Sequence, residues 1–244
     1  MIPCFVLPGG PGFDTSYFRP YLNPLKQVFS LYPIDYSQQT LDGVLHHIHY
    51  LQRHTKQSKA IFLGHSAGGM LALEYALRYP DEVSGLILVS TAADNSFTQV
   101  SEQNIKHYPE VLKAFSAYVK SKRTNDDYKA STLAYIEFAV VPEKQVEARA
   151  VFEQMKYNAA CLEQLKRNFI PYYNINDLLH NISVPALVIA GEQDVVIPPQ
   201  FSEHLARHLP HAEFSMIPNT NHFPFLENPD AFCATVMEWV RKTF

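Results

Sequence analysis

Gly64-His65-Ser66-Ala67-Gly68 is a G-x-S-x-G pentapeptide, a spacing that lets the chain turn sharply and present a serine hydroxyl. The plain alternative is a structural turn serine. A free hydroxyl is a weak nucleophile, so it needs a base, and the base needs an orienting carboxylate. Eleven histidines compete for the role of base. His46, His47, His49 and His54 share one predicted helix and read as solvated or partly buried polar residues. His204 and His208 are four apart, but no acidic residue sits between them and no third ligand is evident, so they read as an exposed helix face and no metal site is expected. His65 adjoins the serine and lines the turn. His222 lies in Pro218-Asn219-Thr220-Asn221-His222-Phe223, after the last predicted strand and before the last helix. In the chain order Ser…Asp…His, that is where the base belongs. Gly191-Glu192-Gln193-Asp194 follows a predicted strand and precedes Ile197-Pro198-Pro199, which makes Asp194 the favoured acid and Glu192 its rival.

These side chains need a scaffold that brings distant loops together. Apolar runs occur at 2–7, 28–34, 59–63, 83–89, 185–190 and 212–217. All but the last lack polar alternation, as parallel strands covered on both faces do. Helical segments at 40–54, 67–79, 199–208 and 229–242 fall between most of them. Such alternation predicts an α/β fold with a doubly wound, mostly parallel sheet. Ser66 then sits at a strand-to-helix turn, where the helix dipole favours developing negative charge. Six of the nine glycines lie in two loops that follow predicted strands, one being the elbow and the other Leu7-Pro8-Gly9-Gly10-Pro11-Gly12. Loops at strand C-termini are where open α/β sheets bind ligands; a simple turn is the competing reading of the first loop.

The alternation fails between Ser90 and Val184, where 109–122, 126–140 and 142–169 read as helices, the last begun by proline. The sheet pattern resumes at 185, so this stretch is an insertion. The expected organisation is a core of 1–93 and 182–244 with a helical cap at 94–181. The insertion is rich in aromatics, including Tyr128, Tyr135, Phe138, Phe152 and Tyr157. They suit a lid over a pocket, or else helices packed on the sheet.

Composition removes several classes. The chain has 244 residues, 47% of them hydrophobic, and a formal net charge of −4; nucleic-acid binders carry a basic stripe, and none is present. Three separated cysteines with no C-x-x-C argue against zinc or a disulfide framework. There is no signal-like start and no apolar run near ~18 residues. The expectation is a cytoplasmic protein that acts on a small molecule or short peptide, without nucleic acid, membrane or cofactor.

The elbow G-H-S-A-G-G, the acid loop G-E-Q-D-V-V-I-P and the base loop N-H-F-P-F-L-E-N-P together resemble the α/β-hydrolase superfamily over nearly the whole chain. The resemblance implies Ser66 as nucleophile, Asp194 as acid and His222 as base. The G-G-P-G segment is similar to the oxyanion loop of the proline iminopeptidase branch, which implies Gly10 and Ala67 as backbone N–H donors. Three features depart from that branch. Pro8 stands where histidine is usual, so that histidine's hydrogen bonding is missing. Ala67 replaces the usual aromatic and looks more like esterases and C–C bond hydrolases. The first antiparallel hairpin is absent, the chain starting at the strand that feeds the oxyanion loop.

The expected activity is a serine hydrolase for a small apolar acyl or aminoacyl substrate. Proline-iminopeptidase-like aminopeptidase and carboxylesterase stand side by side, followed by C–C bond hydrolase and, remotely, a non-catalytic ligand receptor. An aminopeptidase must bind a free ammonium near the scissile carbonyl. By resemblance to the glutamates of iminopeptidase caps, Glu137 and Glu153 are the substrate-binding candidates, although the tryptophans of those caps are missing.

Overall fold

The computed structural model describes residues 1–36, 40–55 and 58–244. Six strands form one parallel sheet: β1 Ile2–Leu7, β2 Phe29–Pro33, β3 Ala60–His65, β4 Val83–Val89, β5 Ala186–Gly191 and β6 Ala212–Ile217. Their order is β2-β1-β3-β4-β5-β6. β3 and β5 are buried at every position, as strands covered on both faces must be. β6, at one edge, has only Ile217 fully buried, which is why its run alone shows some alternation. Helices α1 Leu41–His54 and α2 Ala67–Arg78 precede the helical stretch between β4 and β5. α8 Pro199–His208, the short α9 Pro224–Glu227 and α10 Pro229–Thr243 follow it.

The strand order reverses once. From β1 the chain moves outward to β2, then returns past β1 to β3 and continues the other way. The loops after β1 and β3 therefore leave neighbouring strands in opposite directions and open a crevice, the switch point at which such sheets bind ligands. Register brings the strand ends level, with Leu7 beside Gly64, His65 beside Val89 and Gly191 beside Ile217.

Between β4 and β5 lie α3 Phe97–Asn104, α4 Pro109–Lys120, α5 Asn125–Ala139, α6 Gln145–Phe152 and α7 Ala159–Asn168, joined by 3₁₀ turns. A capping box of Thr124 and Asp127 starts α5. The single helix expected over 142–169 is two helices. The break at 153–158 lies against the loop after β1: Asn158 N donates to Gly12 O at 2.8 Å and Asp14 N to Lys156 O at 3.2 Å. Tyr157 pairs with Phe13, and the Asn158 side chain restarts the chain as α7 by accepting from Cys161 N. Tertiary pairing thus wins over a continuous helical pattern. At the two ends of this helical stretch, Asp94 pairs with Asn174 and Ile175 N donates to Ala93 O at 2.9 Å.

Cys4, Cys161 and Cys233 are all free and buried. Among the described residues no helix is long and apolar enough to cross a membrane, and no cluster of three or more His, Cys, Asp or Glu could hold a metal ion.

Candidate active site

Ser66 joins β3 to α2 with φ 54° and ψ −121°, a left-handed conformation that costs a non-glycine residue on the order of 1–3 kcal/mol. Four hydrogen bonds hold it there: Ser66 N to Val89 O at 2.8 Å, Gly69 N and Met70 N to Ser66 O at 2.9 and 3.3 Å and Thr91 Oγ1 to Ser66 O at 2.8 Å. The turn is tight because its glycines admit backbone contact. A Cβ on Gly68 would overlap the carbonyl of Leu7, so the G-x-S-x-G spacing also lets the elbow pack against the end of β1.

Asp194 and His222 come from the loops after β5 and β6, and the fold brings them together. His222 Nδ1 lies 2.9 Å from Asp194 Oδ2, with side chains only 4% and 0% exposed respectively. The second carboxylate oxygen accepts from Val196 N at 2.8 Å and Ile197 N at 2.9 Å. A carboxylate can only accept, so Nδ1 carries a proton, and in the neutral imidazole the Nε2 lone pair is left for another donor. Glu192, the rival acid, is exposed and instead accepts from Asn219 N at 3.0 Å.

The base loop is fixed on several sides. His222 N donates to Ala139 O at 3.1 Å. Asn221 Oδ1 accepts from Val195 N at 3.1 Å, and its Nδ2 donates to Phe138 O at 2.9 Å. Glu227 accepts from Val141 N at 2.9 Å and from Asn221 N at 2.6 Å. Burial pushes the Glu227 carboxyl up to about 7, against the pull of those N–H groups. Asn221 and Glu227 lie within the quoted base-loop motif, yet their partners in α5 and just beyond it are some 80 residues away and leave no local signal.

The Gly9–Gly12 loop is held although Pro8 replaces histidine. Gly9 N donates to the Tyr17 hydroxyl at 2.8 Å, and the Tyr36 hydroxyl donates to Pro8 O at 2.7 Å. Tyr128, near the start of α5, donates to Gly10 O and Pro11 O. α5 therefore touches the oxyanion-loop candidate near its first turn and the base loop at its end. Gly10 N–H, Ala67 N–H and the Ser66 hydroxyl make no hydrogen bond among the described residues.

Glu137 and Glu153 are not brought to this site; both side chains are exposed. At roughly 100° per residue, Glu137 lies on the opposite side of α5 from buried Tyr128. Its apolar neighbours Ile136 and Phe138 flank it in sequence without sharing its face. Glu153 immediately follows α6, and its carbonyl accepts from Lys129 Nζ at 2.6 Å. Tyr135 is the α5 side chain near the acid, its phenol pushed up by burial and by the charge of Asp194.

A family model described as alpha/beta hydrolase fold matches residues 7–229. A pimeloyl-[acyl-carrier protein] methyl ester esterase of Nitrosospira multiformis is 30% identical over 185 residues, covering 74% of this chain and 68% of that protein. A proline iminopeptidase of Lactobacillus acidophilus is 24% identical, covering 98% of this chain and 89% of that protein. Among solved structures, an alpha/beta fold family hydrolase from Bacillus anthracis aligns with a TM-score of 0.82 at 21% identity, covering 98% of this chain and 91% of that one. With the family matched from the end of β1 to the start of α10, the chain belongs to the alpha/beta hydrolase family of hydrolytic enzymes.

Proposed function

We propose that the protein is a serine hydrolase of carboxylic esters with a small apolar acyl group. Ser66 Oγ attacks the ester carbonyl while His222 Nε2 takes its proton. Gly10 and Ala67 N–H stabilise the oxyanion. The intermediate collapses to an acyl-enzyme as the protonated His222 gives its proton to the departing alkoxide. A water, deprotonated by the same histidine, then releases the acid and restores Ser66. Asp194 orients the imidazole and stabilises its cationic form. The mechanism calls for no cofactor. The observation that carries this reading is the buried contact of His222 Nδ1 with Asp194 Oδ2 at 2.9 Å, which presets the tautomer the base needs.

The insertion at 94–181 is read as a cap whose Tyr128, Tyr135 and Phe138 lie on the side of the site and supply apolar wall. An aminopeptidase reading, favoured by the iminopeptidase relatives, requires a carboxylate for the substrate ammonium. The exposure of Glu137 and Glu153 weighs against it and puts the ester first.

The test is a panel of p-nitrophenyl esters and aminoacyl-naphthylamides, Pro included, with fluorophosphonate labelling of the wild type and Ser66→Ala. Ester turnover and labelling that both vanish in the variant support the reading. Labelling that persists at the wild-type rate removes Ser66, and turnover of prolyl substrates alone replaces ester with aminoacyl.

A further inference from the structure

His65, one residue before the proposed nucleophile, is 1% exposed and touches two other parts of the site. Its Nε2 lies 2.8 Å from the carbonyl oxygen of His222, and its Nδ1 lies 3.0 Å from the Tyr17 hydroxyl. Tyr17 is wholly buried and receives the Gly9 N–H at 2.8 Å. A backbone carbonyl can only accept, so the His65 proton is on Nε2. Burial and the neighbouring His222 hold His65 far below the usual histidine range, so the ring is neutral and carries that proton alone. Nδ1 is then a lone pair and must accept from Tyr17 O–H, whose oxygen in turn accepts from Gly9. Every donor along Gly9 N–H, Tyr17 O–H, His65 Nδ1 and His65 Nε2–H, His222 O has one partner. With a neutral ring, no other arrangement of the protons satisfies all three contacts.

We infer that Tyr17 and His65 form a buried positioning relay that ties the oxyanion-loop backbone and the catalytic-base backbone to the residue preceding the nucleophile. The inference rests on the serine-hydrolase reading of the site. Gly9 precedes one proposed oxyanion donor, His65 precedes Ser66, and the third anchor is the backbone of His222 itself. The relay thereby sets the mutual distances of donor, nucleophile and base from within the core. Gly9 N–H is committed to it, whereas Gly10 N–H makes no hydrogen bond among the described residues and is left for an oxyanion. It also accounts for a G-G-P-G loop that functions without a preceding histidine: the tyrosine eight residues downstream supplies the side-chain partner. Five phenylalanine rings, among them Phe13, Phe152 and Phe223, pack on Tyr17, so its hydroxyl has little freedom to find another partner.

Steady-state kinetics on a p-nitrophenyl ester would test this with wild type, Tyr17→Phe, His65→Gln and the double variant. Misplacing reacting groups by about 1 Å can cost ~100-fold, so each single variant should lose roughly 10- to 100-fold in kcat with KM within threefold. Because both act through one relay, the double variant should be no slower than the slower single variant. A Tyr17→Phe enzyme within twofold of wild-type kcat, a change in KM alone, or losses that multiply in the double variant would each overturn the relay. Should the variants not fold, ¹⁵N NMR of the wild-type rings decides. His65 is expected with Nε2 protonated, Nδ1 bare and the ring still neutral where an ordinary histidine takes up its second proton; the opposite tautomer, or titration in the ordinary histidine range, overturns the inference. A wild type that turns over no ester and leaves Ser66 unlabelled refutes the hydrolase reading instead, and does so independently of the variants.

Discussion

Gly191 and Asn221 stand in backbone contact: a Cβ on the glycine would overlap the carbonyl oxygen of Asn221. The acid loop and the base loop meet there, one residue before His222. Gly191→Ala must push the base loop away or distort the end of β5, and overpacking of this kind costs typically about 1–3 kcal/mol. The expected outcome is a lower melting temperature together with a loss of turnover larger than tenfold. Thermal melting and ester kinetics on the same preparation check it, and unchanged kcat would separate that contact from the geometry of the base.

Asp194→Asn tests the orienting role of the carboxylate. An amide can face His222 Nδ1 with its NH₂ group and favour the wrong tautomer, for which a kcat loss of ~10⁴ is the reference scale. Circular dichroism should match the wild type while turnover falls by several orders of magnitude. Near-normal turnover would remove Asp194 from the mechanism.

Glu227 links α5's trailing segment to the base loop through Val141 N and Asn221 N. Its carboxyl titrates near 7 in the fold, against an ordinary 4.5. The native state therefore holds this proton more tightly than the unfolded chain. The resulting stabilisation is complete below about 4.5 and is lost as pH rises through about 7. At ~1.4 kcal/mol per pH unit, that gap is on the order of 3 kcal/mol. Urea denaturation at pH 5 and pH 8 should show the wild type losing stability relative to Glu227→Gln as pH rises. Parallel pH dependences in the two proteins would contradict the raised titration.

Glu137→Gln and Glu153→Gln are expected to be silent. Both side chains are exposed, and surface changes of this kind usually stay within about 0.5 kcal/mol. Kinetics on esters and aminoacyl-naphthylamides should agree with wild type within twofold for both variants. A selective rise in KM for the aminoacyl substrates would restore a glutamate to the ammonium site.

Local chemistry made much of this protein legible without coordinates. The elbow is written in the small residues around Ser66, because a strained strand-to-helix turn admits little else. Strand positions follow from apolar runs, the one at 212–217 partly alternating, and the observed bounds of β1, β4 and β6 coincide with the runs at 2–7, 83–89 and 212–217. Asp194 and His222 stand out in the sequence by their loops, each a few residues beyond a strand end, and the fold sets the two side chains 2.9 Å apart. These features depend on neighbours within a few residues, which periodicity and turn propensity report directly.

What only the tertiary structure decided involves partners far apart in the chain. Asp194 and Glu192 sit in the same loop, and only the fold sets which of them faces His222, 28 residues away from Asp194. The break at 153–158 is set by pairing with the loop after β1, against a local helical pattern. The outward aspect of Glu137 follows from how α5 is docked, which its apolar sequence neighbours do not specify. Tyr17 meets His65 across 48 residues, and His65 meets His222 across 157. Strand order and register create those contacts. Hydrogen bonds between buried side chains have no period in the sequence; they exist only once the parallel sheet has set its loops side by side.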